Sequence, residues 1–295
     1  MMRKLAKFHD KNYKLLLLIP LILIIISFIY LGAFYSNNGD FIKKDISLTG
    51  GTSVTVYWQT DILNLESELV FKLEDLNIRE IYDLRTREQK AIIIETTADA
   101  DKAKEVLEEY FGFELIEGEN SNFEFTGSTL SQSFYRQLLI AILIAFFFMA
   151  IVVFIIFRTA IPSTAVIISA FADILMTLVI IDMLGIKVST AGIVAFLMLI
   201  GYSVDTDILL TTRMLKRKEG TLNKRIYAAF KTGITMTLTS LLAMLIAFLM
   251  VKSFSAVLAQ IFLVLVIGLA FDLLNTWITN VSILKWYVEA RRKRK

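Results

Sequence analysis

Hydrophobic and polar positions divide the chain into two regimes. Six stretches are almost free of charge: residues 15–35, 137–157, 161–181, 188–212, 232–251 and 254–284. Each is near or above the roughly 20 residues that an α-helix needs to cross a bilayer. The first is too long for the core of a signal peptide and has no convincing small-residue cleavage site, so it reads as a retained span. Arg136 and Arg158 bound the second, and Lys231 and Lys252 bound the fifth. The last exceeds the hydrocarbon thickness and must tilt or emerge into the interface.

Residues 36–136 follow shorter periods. Val54, Val56 and Trp58 alternate with polar residues, which predicts a strand over 52–58. Leu65, Leu69, Leu73 and Leu76 recur at helical spacing over 61–76. Strand-like runs at 79–85 and 91–97 come next, and Asp99 is placed to cap a helix through Tyr110 that Gly112 ends. Segments 113–116 and 123–125 supply the final strand pattern. The order β-α-β-β-α-β is the ferredoxin-like split pattern. The expected fold is an α-helical membrane protein of six transmembrane helices with an extracytoplasmic α+β ferredoxin-like domain between helices 1 and 2.

Composition narrows the chemistry. Hydrophobic residues make up 56% of the 295 and charged residues 20%, which excludes a disordered chain and an ordinary soluble enzyme. With no cysteine there are no disulfides, thiolate metal sites or cysteine nucleophiles. The single histidine, His9, lies in a basic tail, which argues against Ser-His-Asp catalysis and histidine-rich metal sites. No catalytic site is expected, no metal and no cofactor.

Charge sets the orientation. Nineteen of the 31 basic residues lie in the tail 1–14, at Arg158, in the loop 213–231 and in the tail 285–295, all on one side of a six-span chain. The positive-inside rule places that side in the cytoplasm. The segment 36–136 then lies outside with a net charge of −10, against +13 for the rest, although the whole chain is only +3. The basic tails read as topology signals and contacts for anionic membrane lipids, with no nucleic acid.

Three spans hold aspartate away from their ends: Asp173, Asp205 with Asp207, and Asp272. Each costs roughly 2.5–3.5 kcal/mol at mid-helix, so such acids usually face a bundle interior and serve a function. By helical rise Asp173 lies roughly 18 Å from the inner end of its span and Asp205 roughly 10 Å. Two residues apart, Asp205 and Asp207 point about 200° away from each other, so they cannot both face one path. Gly201, one turn before Asp205, favours Asp205 as the interior acid; Asp207 is expected near the headgroups, at the surface or paired with Arg213. Thr232, Thr235 and Thr239 form a polar stripe with Ser240 that either faces the path or bonds back to its own helix. A carboxyl sheltered from water can exchange a proton near neutral pH. Aspartate is therefore the main relay candidate in spans without histidine.

These features resemble one half of the resistance-nodulation-division superfamily and, within it, the SecF side of the SecD/SecF family. Thr49-Gly50-Gly51-Thr52 is similar to that family's Thr-Gly-Gly-Thr signature. Asp173 matches its third-span acid, and Gly201-Tyr202-Ser203 with Arg213 its fourth-span motif; Ser253-Phe254-Ser255 is likewise similar. Bacterial members read Asn-Asp-Thr where this chain has Asp205-Thr206-Asp207, and many carry arginine at Lys231; Asp272 and Asn275 look archaeal. The resemblance implies a non-enzymatic membrane subunit of the Sec protein-export machinery, coupled to the proton-motive force. It implies as partners a SecD-like subunit, a SecY-type channel and the translocating polypeptide. It also implies that Asp205, Asp173 and Asp272 relay or gate protons, supported by Asp207, Arg213, Lys231 and Gly201. The alternatives are half of a proton-driven small-molecule or lipid exporter of the same superfamily, and a scaffold for channel subunits.

Overall fold

In the computed structural model, which describes residues 12–83, 85–216 and 220–293, six helices are long and apolar enough to cross a membrane. His9 and most of the N-terminal basic tail, residues 217–219 of the basic loop and the last two residues lie outside the described residues. Helix α1 (Leu18–Asn38) stops at Gly39, whose left-handed backbone closes the helix end. A linker then leads to the short helix α2 (Ile46–Thr49), capped by the Asp45 side chain.

The α+β domain follows as β1 (Gly51–Val56), α3 (Ile62–Leu69), β2 (Asn77–Tyr82), β3 (Gln89–Thr96), α4 (Ala100–Phe111) and β4 (Ser121–Thr126). The strands form one antiparallel sheet in the order β2-β3-β1-β4, the ferredoxin-like arrangement. Val54, Val56, Ile92 and Ile94 project from one sheet face onto Leu65 and Leu69 of α3 and Ala103 and Leu107 of α4, all fully buried. Each full-sized apolar side chain buried this way contributes about 1.5–3 kcal/mol. Asp99 caps α4, accepting from the Lys102 N–H. Residues 113–116, expected as strand, form a loop instead. Glu108 accepts from the Leu115 N–H at 2.8 Å and Asn120 from the Ile116 N–H at 2.7 Å, so side chains satisfy the backbone that a neighbouring strand would otherwise pair.

The remaining spans are α5 (Ser128–Phe157), α6 (Ala160–Met183), α7 (Thr190–Leu215) and α8 (Leu222–Val251). The last is composite: α9 (Ala256–Leu274), a π-helical segment (Asn275–Asn280) and α10 (Val281–Lys293). Helices α6 and α7 lie at the centre and α9 packs on α6, α7 and α8, whereas α1 lies along α6. Long apolar side chains of α1, α5 and α8 remain exposed, a surface that a bilayer covers.

The domain is fastened to one end of the bundle of spans. The Asp45 N–H donates to the Val188 carbonyl at 3.0 Å and the Val188 N–H to the Lys43 carbonyl at 2.7 Å. Lys187 pairs with Asp75 at 2.7 Å, and the Tyr82 N–H donates to the Ser253 carbonyl at 2.9 Å. Between α2 and β1 the chain turns on Gly50 and Gly51, both with positive φ. A Cβ on Gly50 would lie 2.4 Å from Ser128 Cα, and one on Gly51 2.3 Å from the Thr96 carbonyl oxygen, so only glycine fits.

Candidate functional site

Polar side chains on four helices meet in the middle of the bundle. Asp173 of α6, Asp207 of α7 and Asp272 of α9 are each completely buried. Helix α7 turns an unbroken face inward through Leu199, Ser203, Thr206, Asp207, Leu210 and Thr211, at spacings of three and four residues. On the last span Asp272, Thr276 and Asn280 succeed one another at intervals of four, with Asn275 beside them, and all are buried. Small residues let the helices approach: Gly268 lies against Leu199 and Gly233 against Trp277, with no room for a Cβ.

A shared threonine links two of the acids, and the third has donors of its own. Asp173 accepts from Ser203 at 2.5 Å through one oxygen and from Asn275 at 2.7 Å through the other. Asp207 Oδ1 accepts from Asn280 at 2.7 Å and lies 2.9 Å from the Thr276 hydroxyl. That hydroxyl is also 3.0 Å from Asp272 Oδ1. Asp272 Oδ2 lies 3.4 Å from Thr237 Oγ1, which in turn is 3.4 Å from Thr206 Oγ1. Among the described residues no lysine or arginine pairs with any of the three acids. Thr276 has one hydroxyl hydrogen and two carboxyl neighbours. Both contacts are hydrogen bonds only when one carboxyl carries a proton of its own. No three acids or histidines among the described residues are grouped to hold a metal ion.

A family model described as protein export membrane protein SecD/SecF, C-terminal, matches residues 107–290. The protein-export membrane protein SecF of Methanocaldococcus jannaschii is 40% identical over 290 residues, 97% of this chain and 99% of the relative. The chain belongs to the SecD/SecF family. SecF of Pyrococcus furiosus is 35% identical over 98% of the chain and 95% of its own length. The crystal structure of SecDF, a translocon-associated membrane protein from Thermus thermophilus, shares the fold across 94% of the chain with a TM-score of 0.71 and 18% identity. This chain spans 38% of that longer one. The apolar helices and these relatives make it a multi-pass membrane protein of the SecD/SecF family.

The sequence motifs of this SecD/SecF member have visible physical reasons. Gly50 and Gly51 fit a turn wedged against α5 and β3, and Thr52 donates to the Ala98 carbonyl at 2.7 Å. Ser253 receives β2 through its carbonyl, and Ser255 caps α9 by accepting from the Leu258 N–H.

Two expectations about the fourth span reverse. Asp205 is exposed on the outward stripe of α7 with Val194, Met198 and Tyr202, and Asp207 is the interior acid. Nothing approaches the Cβ position of Gly201, so that glycine opens the outer surface and no neighbour within this chain. Arg213 does not pair with Asp207; it donates to the Ala228 carbonyl in the N-terminal part of α8. Lys231 is exposed. Thr235 and Thr239 bond back to the carbonyls of Lys231 and Thr235, whereas the unanticipated Thr237 faces the acids. Thr276 and Asn280 also escaped the sequence reading, and Ser203 entered it only as part of a motif, with no role. Their spacing of four residues from Asp207 and of four and eight from Asp272 was the available signal.

Proposed function

We infer that this chain is a membrane subunit of the protein-export machinery, working beside a SecD-like subunit and driven by the proton-motive force. Its partners in this reading are a SecY-type channel, the translocating polypeptide and the surrounding lipids. Both chain ends face the cytoplasm, and the α+β domain stands outside, where its movement assists the emerging polypeptide. The single observation that carries proton coupling is Thr276, whose hydroxyl oxygen lies within hydrogen-bond distance of both Asp207 and Asp272. Shifting the hydroxyl hydrogen toward one acid while the other donates its own passes a proton between Asp207 and Asp272 without moving a heavy atom far. Ser203 and Asn275 hold Asp173 separately. One charge crossing 100 mV supplies roughly 2.3 kcal/mol, enough to bias two conformations. Asp205 sits mid-span on an outward stripe, and its burial by lipid would be costly; the SecD-like subunit covers it.

Reconstitution with the SecD-like partner and the channel in sealed vesicles tests this reading. Export of a secretory polypeptide is measured with and without an imposed proton gradient. Asp173→Asn and Asp207→Asn are expected to lower the gradient-dependent part at least about tenfold, equal to about 1.4 kcal/mol of lost coupling. Full stimulation in both variants overturns the assignment.

A further inference from the structure

Asp182, in the last turn of α6, stands apart from the three buried acids at the centre of the bundle. The residue is 3% exposed, and neither carboxyl oxygen has a hydrogen-bond partner among the described residues. The Lys43 main-chain N–H approaches it without reaching hydrogen-bond geometry. Three elements face it: the linker after α1 with Lys43 and Asp40, α1 with Tyr30, and α5 with Tyr135. Asp40 is already engaged, accepting from the Tyr135 hydroxyl at 2.7 Å and pairing with Lys44 at 2.9 Å. Lys43 has a second role, because its carbonyl accepts from Val188 in the joint that fastens the linker to the loop between α6 and α7.

A bare carboxylate buried without a donor costs several kcal/mol, whereas a neutral carboxyl in the same place costs far less. We propose that Asp182 is a second proton-binding site, set at the joint between the membrane bundle and the α+β domain, and that its proton decides whether the joint is closed. With the proton bound, the closed geometry stands. When the proton leaves, the charge draws in a donor: water, the Lys43 ammonium or the Lys43 main-chain N–H. Each moves the linker at residues 43–45, which is paired with Val188, so the joint loosens. The site deepens the proton-driven reading yet is separable from it, because equilibrium with bulk pH suffices to operate it.

Hydrogen exchange read by mass spectrometry on the full chain in lipid nanodiscs, between about pH 5 and 8 and corrected for intrinsic rates, tests the proposal. Lysine and tyrosine keep their protons in that window. Burial pushes the Asp40 carboxyl up, but Lys44, Tyr135 and the Phe41 N–H together hold it below the usual range, so it stays ionised. Peptides carrying the Asp45 and Val188 N–H groups are expected to exchange about tenfold faster at the upper end in the wild type. In Asp182→Asn they stay protected throughout, and in Asp182→Glu the response survives with a moved midpoint. Asp173→Asn keeps the wild-type response, so failure of the three central acids leaves this result intact. Equal pH dependence in the wild type and Asp182→Asn, or none in the wild type, overturns the proposal. If Asp182→Asn does not fold, an unmoved midpoint in Asp182→Glu overturns it.

Discussion

A threonine in a membrane helix has two uses, and this chain shows both. Thr235 is exposed and returns its hydrogen bond to its own helix, whereas Thr276 is buried between two acids. Thr276→Val keeps the shape but strips Asp207 and Asp272 of a shared neighbour, and is expected to cost about 1–3 kcal/mol. Thr235→Val should change stability by no more than about 0.5 kcal/mol. Thermal unfolding in a mild detergent separates the two. Asp40 gives a pH prediction of opposite sign to that of Asp182. Its carboxyl is held below its unfolded value, so the tie to Lys44 and Tyr135 is fully present above about pH 4. It weakens as pH falls further. Limited proteolysis of the 39–45 linker should accelerate only on the acid side, and Asp40→Asn should remove that acceleration. At this scale the sequence expected Asp173, Asp205 and Asp272 in the interior; Asp173 and Asp272 are buried there, and Asp207 takes the place of Asp205. A 200° separation says that one faces inward, but the choice belongs to the whole face of α7, on which Ser203, Thr206 and Thr211 side with Asp207.

Whole elements behave as their patterns predict wherever burial decides them. The apolar runs form helices, and the split order of strands and helices gives the ferredoxin-like sheet. The exception is 113–116, where Glu108 and Asn120 intercept backbone donors. Sequence gave no warning of the π-helical segment, since Asn275, Thr276 and Asn280 also fit an ordinary helical face. That segment carries the side chains that reach Asp173 and Asp207, in line with the tendency of such bulges to mark functional sites. The turn before β1 yields the clearest element-scale prediction. A methyl on Gly51 meets the backbone of β3, which cannot give way, so Gly51→Ala is expected to cost at least about 2 kcal/mol. Protease resistance of the α+β domain should fall while the spans still insert. Lys187→Ala removes a partly exposed ion pair with Asp75 and should cost no more than about 1 kcal/mol in the same assay.

For the whole molecule, the outward stripe of α7 is an exposed face of the bundle that carries Asp205. Gly201 meets nothing within the chain, so Gly201→Trp should leave the thermal unfolding of this subunit unchanged. It should sharply lower co-purification with the SecD-like partner if that partner covers Asp205. Unaltered recovery of the partner would move the interface to another face. The sequence by itself determined which segments seek lipid, which form a two-layer domain, and how many acids the membrane must accommodate. Those properties are local sums of burial and periodicity, readable without knowing a neighbour. Only the tertiary structure decided that Asp207, not Asp205, joins Asp173 and Asp272, that one hydroxyl bridges two acids, and that Asp182 is sealed beneath the joint. Each depends on how one helix is rotated against the others, and that rotation is fixed by packing summed over every contacting helix.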